Sequence, residues 1–403
     1  MIILRIVILL AFLALLFFTQ RFWFMSAWRA IAEVARPGVR SALQVTWMIA
    51  LVVFVLAFFD PMLGHILSKI AGGKWIIAAA RIWLLASIFG FLAILLVHGL
   101  GWFYGLIAPG SAPDESRRNF FRYAGYALGS LPFVAAVYGF ASGRFNYRVE
   151  RVEVPIADLP KELDGFTIAQ LSDIHIGDFM PREEVRRAVD MANALKADLA
   201  VVTGDFISGE FDPLGDCIAE LSRLRAPLGT WGCNGNHEIY ADAEDAAQGL
   251  FRQHGMKLLR QENVQLDWRG KKINLIGVDY QRDHMTRGPA GPMLEGVEPL
   301  VSREHPNILL SHNPNSFHRA AEMGIELSLA GHTHGGQVKF EIVDHSFSPA
   351  RLITDFVAGL YHLPMGETGK KAALYVNRGL GTFGVPVRLG VQPEITLLTL
   401  RTA

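Results

Sequence analysis

Leu327-Ser-Leu-Ala330 runs directly into Gly331-His332-Thr333-His334-Gly335-Gly336-Gln337. The four leading residues read as a buried strand. They deliver two imidazoles, one residue apart, between glycines that let backbone and ions approach closely. The same design recurs four times upstream. Residues 166–171 precede Asp173-Ile174-His175, 199–203 precede Gly204-Asp205, 228–233 precede Gly235-Asn236-His237-Glu238, and 308–310 precede Ser311-His312. Strand ends are where open α/β folds place their active sites. Carboxylates, imidazoles and one carboxamide are the ligand types that suit divalent Mn, Fe or Zn.

The surrounding pattern is α/β. Residues 273–278, 373–376 and 394–400 read as further strands, and 181–195, 241–254 and 315–323 have helical composition. Alternation of the two argues for layered sheets. The 403 residues divide by composition into a membrane part at 1–141, a linker and domain entry at 142–164, and a catalytic domain at 165–403. Four stretches, 2–19, 42–59, 75–100 and 120–140, approach the ~20 apolar residues a spanning helix needs. The first lacks a small-x-small cleavage site and is followed by Arg21, Phe22 and Trp23, which argues for retention. Aromatics near the ends (Phe22, Trp23, Trp28, Trp47, Trp75, Trp102, Tyr104) resemble interfacial belts. Arg81 is expected to snorkel outward and Pro132 to kink its helix. Positive-inside counting favours cytoplasmic first and third loops by one charge, which leaves the catalytic domain extracytoplasmic.

Other classes are disfavoured. Formal net charge is zero and no long basic stretch follows Tyr147, so no nucleic-acid partner is expected. Cys217 and Cys233 lack zinc spacing and read as buried thiols. The spans show no paired charges or interrupted halves of the kind transporters use.

Hydrolysing a phosphate ester near neutral pH needs a strong nucleophile and charge relief. Two metals roughly 3.5–4 Å apart supply both by holding a hydroxide between them. Asp205 is the natural bridging carboxylate, Asp173 and His175 can converge on one ion, and His332 and His334 can serve one metal each. Asn236 offers a carboxamide oxygen, His312 completes the second set, and His237 stays free to exchange a proton. Two carboxylates against two divalent ions leave a net positive site for an anionic substrate.

From about Gly165 onward the chain resembles the calcineurin-like metallophosphoesterase superfamily. It is most similar to the bacterial membrane-associated branch, which includes phosphodiesterases and a lipid-nucleotide pyrophosphatase. Tyr375-Val-Asn-Arg-Gly-Leu-Gly381 and Pro386-Val-Arg-Leu-Gly-Val-Gln-Pro-Glu-Ile395 are similar to that branch's closing segments. The resemblance implies a four-layer α/β fold, a double β-sandwich flanked by helices, here preceded by about four transmembrane helices. It implies Asp173, His175, Asp205 and His334 on one metal, and Asp205, Asn236, His312 and His332 on the other. His237 becomes the non-ligand histidine facing the phosphoryl group or leaving oxygen. Asn315 and Glu238 depart from the family, which often has Asp at both places.

Outside the motifs, Arg378 is a candidate for the substrate rim, while Arg282, His284 and Arg287 read as a solvated loop. Within 340–369, Phe347, Leu352, Phe356, Leu360, Tyr361 and Leu363 read as core, or alternatively as an apolar lid. The expected protein is a multi-pass membrane phosphoesterase with two divalent ions, cleaving a phosphodiester or pyrophosphate in a lipid-linked or envelope substrate. The alternatives are a phosphomonoesterase or nucleotide hydrolase, and a membrane sensor or scaffold with a vestigial hydrolase domain.

Overall fold

The apolar runs of the first third become four helices: α1 (Ile2–Ala32), α2 (Pro37–Phe59), α3 (Gly73–Ile107) and α4 (Glu115–Ala141). All four are long and apolar enough to cross a membrane. The computed structural model describes residues 2–60, 66–107, 115–210, 212–281, 293–338, 340–342, 345–347, 349–352, 354–366 and 368–403. It divides into two units, Met1–Gly139 and Phe140–Ala403. In the first unit, α1 continues well past the apolar run that announces it, so Phe22 and Trp23 lie inside a helix. Trp23 and Trp83 pack edge to face at 6.3 Å, as do Trp47 and Trp83 at 6.4 Å. Two of the three indoles are satisfied: Trp23 Nε1 donates to Ser87 O (3.0 Å), and Trp83 Nε1 to Gln20 Oε1 (3.0 Å). These rings knit helices together, whereas the sequence pattern places them at an interface. Trp75 and Trp102 do stay exposed, at 48% and 70%. Gly90 and Gly129 bring α3 and α4 close: a Cβ on Gly90 would lie 2.6 Å from Gly129 O, the small-residue packing of membrane helices.

The second unit carries strands β1 (Arg148–Ile156), β2 (Thr167–Leu171), β3 (Leu199–Thr203), β4 (Thr230–Cys233), β5 (Lys257–Leu258), β6 (Glu262–Trp268) and β7 (Lys271–Gly277). There follow β8 (Asn307–Leu310), β9 (Leu327–Ala330), β10 (Phe340–Ile342), β11 (His345–Phe347), β12 (Gly359–Pro364), β13 (Lys371–Val376) and β14 (Glu394–Thr402). Two six-stranded sheets form, in the orders β1-β14-β2-β3-β4-β5 and β12-β13-β9-β8-β7-β6, and β10–β11 is a separate hairpin. Strands β2 to β5 run parallel in the first sheet, and β7, β8, β9 and β13 in the second. Residues 142–164, expected as linker and entry, contain β1, which pairs in parallel with β14 along its whole length. Its Arg148, Glu150, Arg151 and Glu153 interrupt the run of valines on an edge strand, a pattern that reads as solvated chain.

The sheets face each other across one apolar slab in which Ile168, Val201 and Leu398 meet Leu275, Ile308 and Leu329. Helices α5 (Arg182–Asn193), α6 (Leu214–Leu221), α7 (Asn236–Tyr240), α8 (Glu244–Gln253) and α9 (Phe317–Glu322) complete the unit. Val185, Ile218 and Phe251 pack α5, α6 and α8 on the outer face of the first sheet. Ala320 of α9 packs against Ile276 and Leu309 of the second. The result is the expected double sandwich between helices. Cys217 and Cys233 are free, buried thiols.

Glu220 of α6 is 1% exposed and accepts from Arg186 Nη2 (2.8 Å) and Arg182 Nε (2.6 Å) of α5. The Arg186 hydrogen bond, with that from Arg182, overcomes burial and holds the carboxyl down at about 2. A carboxylate held below its unfolded value stabilises the fold above that value and loses the contribution as pH falls toward the folded one. Glu220→Gln is therefore expected to lower thermal stability at pH 7. The two melting curves should converge as pH drops from the ordinary 4.5 toward 2. A constant gap across that window would rule out the ion pair as the cause.

Candidate metal centre

Four ligand-type residues stand two positions past a strand: Asp173 after β2, Asp205 after β3, His312 after β8 and His332 after β9. Asn236 opens α7 just beyond β4. The backbone is left-handed at Asp173 (φ 48°), His175 (49°), Asp205 (56°), His332 (75°) and His334 (52°). Asp and His enter that region more readily than most L residues, yet it remains strained, and such strain gathers at functional sites. Close approach is enforced by two glycines. A Cβ on Gly331 would lie 2.2 Å from Asp173 Oδ2, and one on Gly235 would lie 2.1 Å from Asp205 Oδ1.

Asp173, His175, Asp205 and His334 each offer a ligand atom within 4.8 Å of the others, and Asp205, His312 and His332 make a second such group. Asp205 belongs to both. His334 Nε2 is 3.4 Å from Asp173 Oδ1, His175 Nε2 is 3.6 Å from Asp205 Oδ2, and the two Nε2 atoms are 3.1 Å apart. Asn236 Oδ1 lies 2.8 Å from His332 Nδ1. His312 Nδ1 donates to Thr203 O at 2.6 Å, since a carbonyl only accepts. The neutral ring then aims its Nε2 lone pair at Asp205 Oδ2, 3.1 Å away, and that nitrogen is buried outside hydrogen-bonding geometry. Two facing acceptors repel unless a proton or cation stands between them. An imidazole anchored through its other nitrogen is also how histidines are oriented toward metals. The donor set therefore suits divalent cations.

The electrostatics agree. Burial pulls His175 down to about 3 and His332 to about 4, so both rings are neutral and ligand-competent. Burial also pushes Asp173 up to about 6. Burial would lower His312, but Asp205 and Asp173 override it and lift the ring to about 10. Asp205, although burial opposes its charge, is held well below the carboxylate range chiefly by His312.

His237 belongs to neither ligand group. Its Nδ1 donates to Ser208 O (2.9 Å) and its backbone N–H to Asp205 Oδ1 (2.9 Å). In the neutral ring this leaves Nε2 as the acceptor. Glu238 is fully buried and accepts four backbone N–H groups: Gly235 (2.8 Å), Asp205 (2.9 Å), Phe206 (2.8 Å) and Ile207 (3.3 Å). Its extra methylene, relative to the Asp often found there, lets it carry the Asp205 loop. Asn315, the other departure, accepts from Thr354 Oγ1 at 2.7 Å.

Sequence reasoning missed Arg388. It is 1% exposed and donates to the carbonyls of Arg378 (2.9 Å), Gly379 (3.0 Å) and Gly381. That holds the closing loop against Asp173, where a Cβ on Gly379 would lie 2.5 Å from Asp173 Cβ. Arg378, the candidate for the substrate rim, lies beside the histidine motif, where a Cβ on Gly335 would meet its Cγ at 2.9 Å. Its guanidinium pairs with Glu394 and Glu150, lining a cleft of about 400 Å³ with Arg351 and Tyr361. Phe356 is 6% exposed and packs on Phe317 as core, while Tyr361, partly buried, packs against it and accepts at Oη from Val357 N (3.0 Å). Arg282, His284, Arg287 and the side chains of Phe347 and Leu352 lie outside the described residues.

Fold and site together define a metal-dependent phosphoesterase architecture. Residues 166–336 match the family model for calcineurin-like phosphoesterases. The chain is 31% identical over 294 residues to the uncharacterized metallophosphoesterase YkuE of Bacillus subtilis, covering 71% of this chain and 98% of that protein. It is 32% identical over 305 residues to a transmembrane protein with metallophosphoesterase domain from Danio rerio, covering 73% of this chain and 66% of the relative. A Bos taurus protein of the same description is 34% identical over 279 residues, covering 67% and 61%. The chain thus spans somewhat under two thirds of the length of these vertebrate relatives. It belongs to the calcineurin-like metallophosphoesterases, with four apolar helices ahead of the domain.

Replacing Glu238 by Gln turns one acceptor oxygen into a donor facing N–H groups. Glu238→Gln is expected to cost about 2–3 kcal/mol of stability and to reduce bound metal. Denaturant unfolding and elemental analysis of the purified chain test this. Unchanged values in both would show that the carboxylate does not carry the Asp205 loop.

Proposed function

We propose that this chain is a membrane-anchored two-metal phosphoesterase that cleaves phosphodiester or pyrophosphate bonds in a lipid-linked or envelope substrate. The observation that carries the reading is the pair of donor groups sharing Asp205. Asp173, His175 and His334 would hold the first ion with it, and Asn236, His312 and His332 would hold the second. Bound there, two divalent ions such as Mn, Fe or Zn would supply charge relief on the phosphoryl oxygens and make water nucleophilic near neutral pH. His237, anchored through Nδ1 on Ser208 O, would exchange a proton with the leaving oxygen through Nε2. Glu238 and Arg388 keep the Asp205 and Asp173 loops in place around the reacting group.

The lipid-linked preference is supported by four long apolar helices on the same chain. An extracytoplasmic catalytic domain in the cell membrane is the reading that positive-inside counting supports, by one charge: Arg21, Arg29, Arg36, Arg40, Arg117, Arg118 and Arg122 on one side against Arg5, Lys69, Lys74, Arg144, Arg148 and Arg151 on the other. Residues 1–141 serve as the anchor and 165–403 as the catalytic domain in this reading.

The test uses the full chain in detergent, stripped of metal and resupplied with Mn²⁺. Hydrolysis of bis-p-nitrophenyl phosphate is compared with that of p-nitrophenyl phosphate, alongside Asp205→Asn and His237→Ala. Metal-dependent diesterase activity is expected, lowered at least about a hundredfold by either substitution. Activity on the monoester alone would transfer the assignment to a phosphomonoesterase. Failure to bind metal would end it.

A further inference from the structure

We propose that Phe383 and Tyr240 form an apolar seat beside His237 for the organic group on the departing side of the phosphoester, so that the substrates carry an alkyl or aryl substituent there. The inference rests on the metal-centre reading above and adds the substrate class to it.

Within Phe140–Ala403, the exposed large hydrophobic residues among those described are Tyr240, at 54%, and Phe383, at 53%. Both flank the same residue. The Phe383 ring meets His237 edge to face with centroids 4.8 Å apart and lies 6.1 Å from His175; the Tyr240 ring lies 6.1 Å from His237. Tyr240 follows His237 by three positions on α7, which puts both on one helix face. Beyond it, Tyr280 stands 6.4 Å from Tyr240 and 5.4 Å from His332, extending the aromatic rim across the ligand groups.

Phe383 is held in this exposed position by the end of the histidine motif. Gln337 Oε1 accepts from Phe383 N (2.6 Å), and Gln337 Nε2 donates to Phe383 O (2.8 Å), so one amide grips both backbone groups. Gln337 is itself left-handed (φ 53°), and its carbonyl accepts from Leu389 N (2.9 Å). A large ring pinned in water, against the site histidine that belongs to neither ligand group, is a surface awaiting an apolar partner. Its neighbours make that partner part of the substrate. Polar groups converge on the phosphate while apolar walls select what is attached to it, which is the usual division of labour in ligand sites. Gln337 is the positioning residue for the seat.

The experiment measures binding of methyl-, butyl- and phenylphosphonate to the Mn²⁺-loaded full chain in detergent by titration calorimetry. Butyl- or phenylphosphonate is expected to bind about tenfold more tightly than methylphosphonate, equivalent to about 1.4 kcal/mol. That ratio should fall toward one in the Phe383→Ser/Tyr240→Ser double variant and in Gln337→Ala, with retained metal content showing that the fold persists. A butyl preference assigns an alkyl, lipid-type substituent, and a phenyl preference an aromatic one; both support the seat. Equal, metal-dependent binding of all three by the wild type would overturn the seat and leave the metal centre standing. A ratio that survives in the double variant would also overturn it. Methylphosphonate binding that is absent, or indifferent to chelation, would remove the metal-centre reading and this inference with it.

Discussion

The catalytic unit is organised around a crowding problem: two buried carboxylates and four histidines gathered against one another, five of the six on left-handed backbone. Each such turn at an L residue costs roughly 1–2 kcal/mol, and burying unpaired charge costs more. The surroundings are built to withstand it. Glu238 gathers four N–H groups around Asp205, Arg388 gathers the carbonyls that press on Asp173, and glycines vacate the space a side chain would need. Without those supports the Asp205 and Asp173 loops would relax to ordinary backbone and the ligand groups would spread.

The sandwich explains how residues so far apart in sequence meet. Both sheets place a run of parallel strands beside the same apolar slab, with chain directions that bring their carboxyl ends to a common edge. Gln170 crosses between the sheets there, donating from Nε2 to Thr203 Oγ1 (3.0 Å) and to Ala330 O (2.9 Å). One buried amide thereby ties the strand that delivers Asp173 to the strands that deliver Asp205 and His332.

Much of this was legible in the sequence, and the failures have physical causes. Residues 199–203 and 327–330 match β3 and β9 because a wholly buried strand is mostly apolar on both faces and runs into Gly. β1 was hidden because an edge strand keeps its charged residues, and β12 because its hydrophobic positions sit in a stretch that also reads as core or lid. The ligand-type residues stood out because chemistry and glycine cluster at strand ends. Their supports did not. Arg388, between Val387 and Leu389, looks like any solvated arginine until three carbonyls from residues 378–381 converge on it. Gln337 reads as the tail of a motif, and only the fold brings Phe383 within its reach.

The constant two-residue step from strand end to ligand has an evolutionary corollary. One inserted or deleted residue in that step would displace a ligand by about 3.3 Å and turn it to the opposite face. Indels are therefore barred on the upstream side of Asp173, Asp205, His312 and His332. The bar lifts only past the last site residue of each motif, beyond His175, Ser208, His312 and His334, where the chain need only return to its next helix or strand. Lineages of this architecture can accordingly diverge in what they bind by lengthening chain after the ligands, while the approach to each ligand keeps one length.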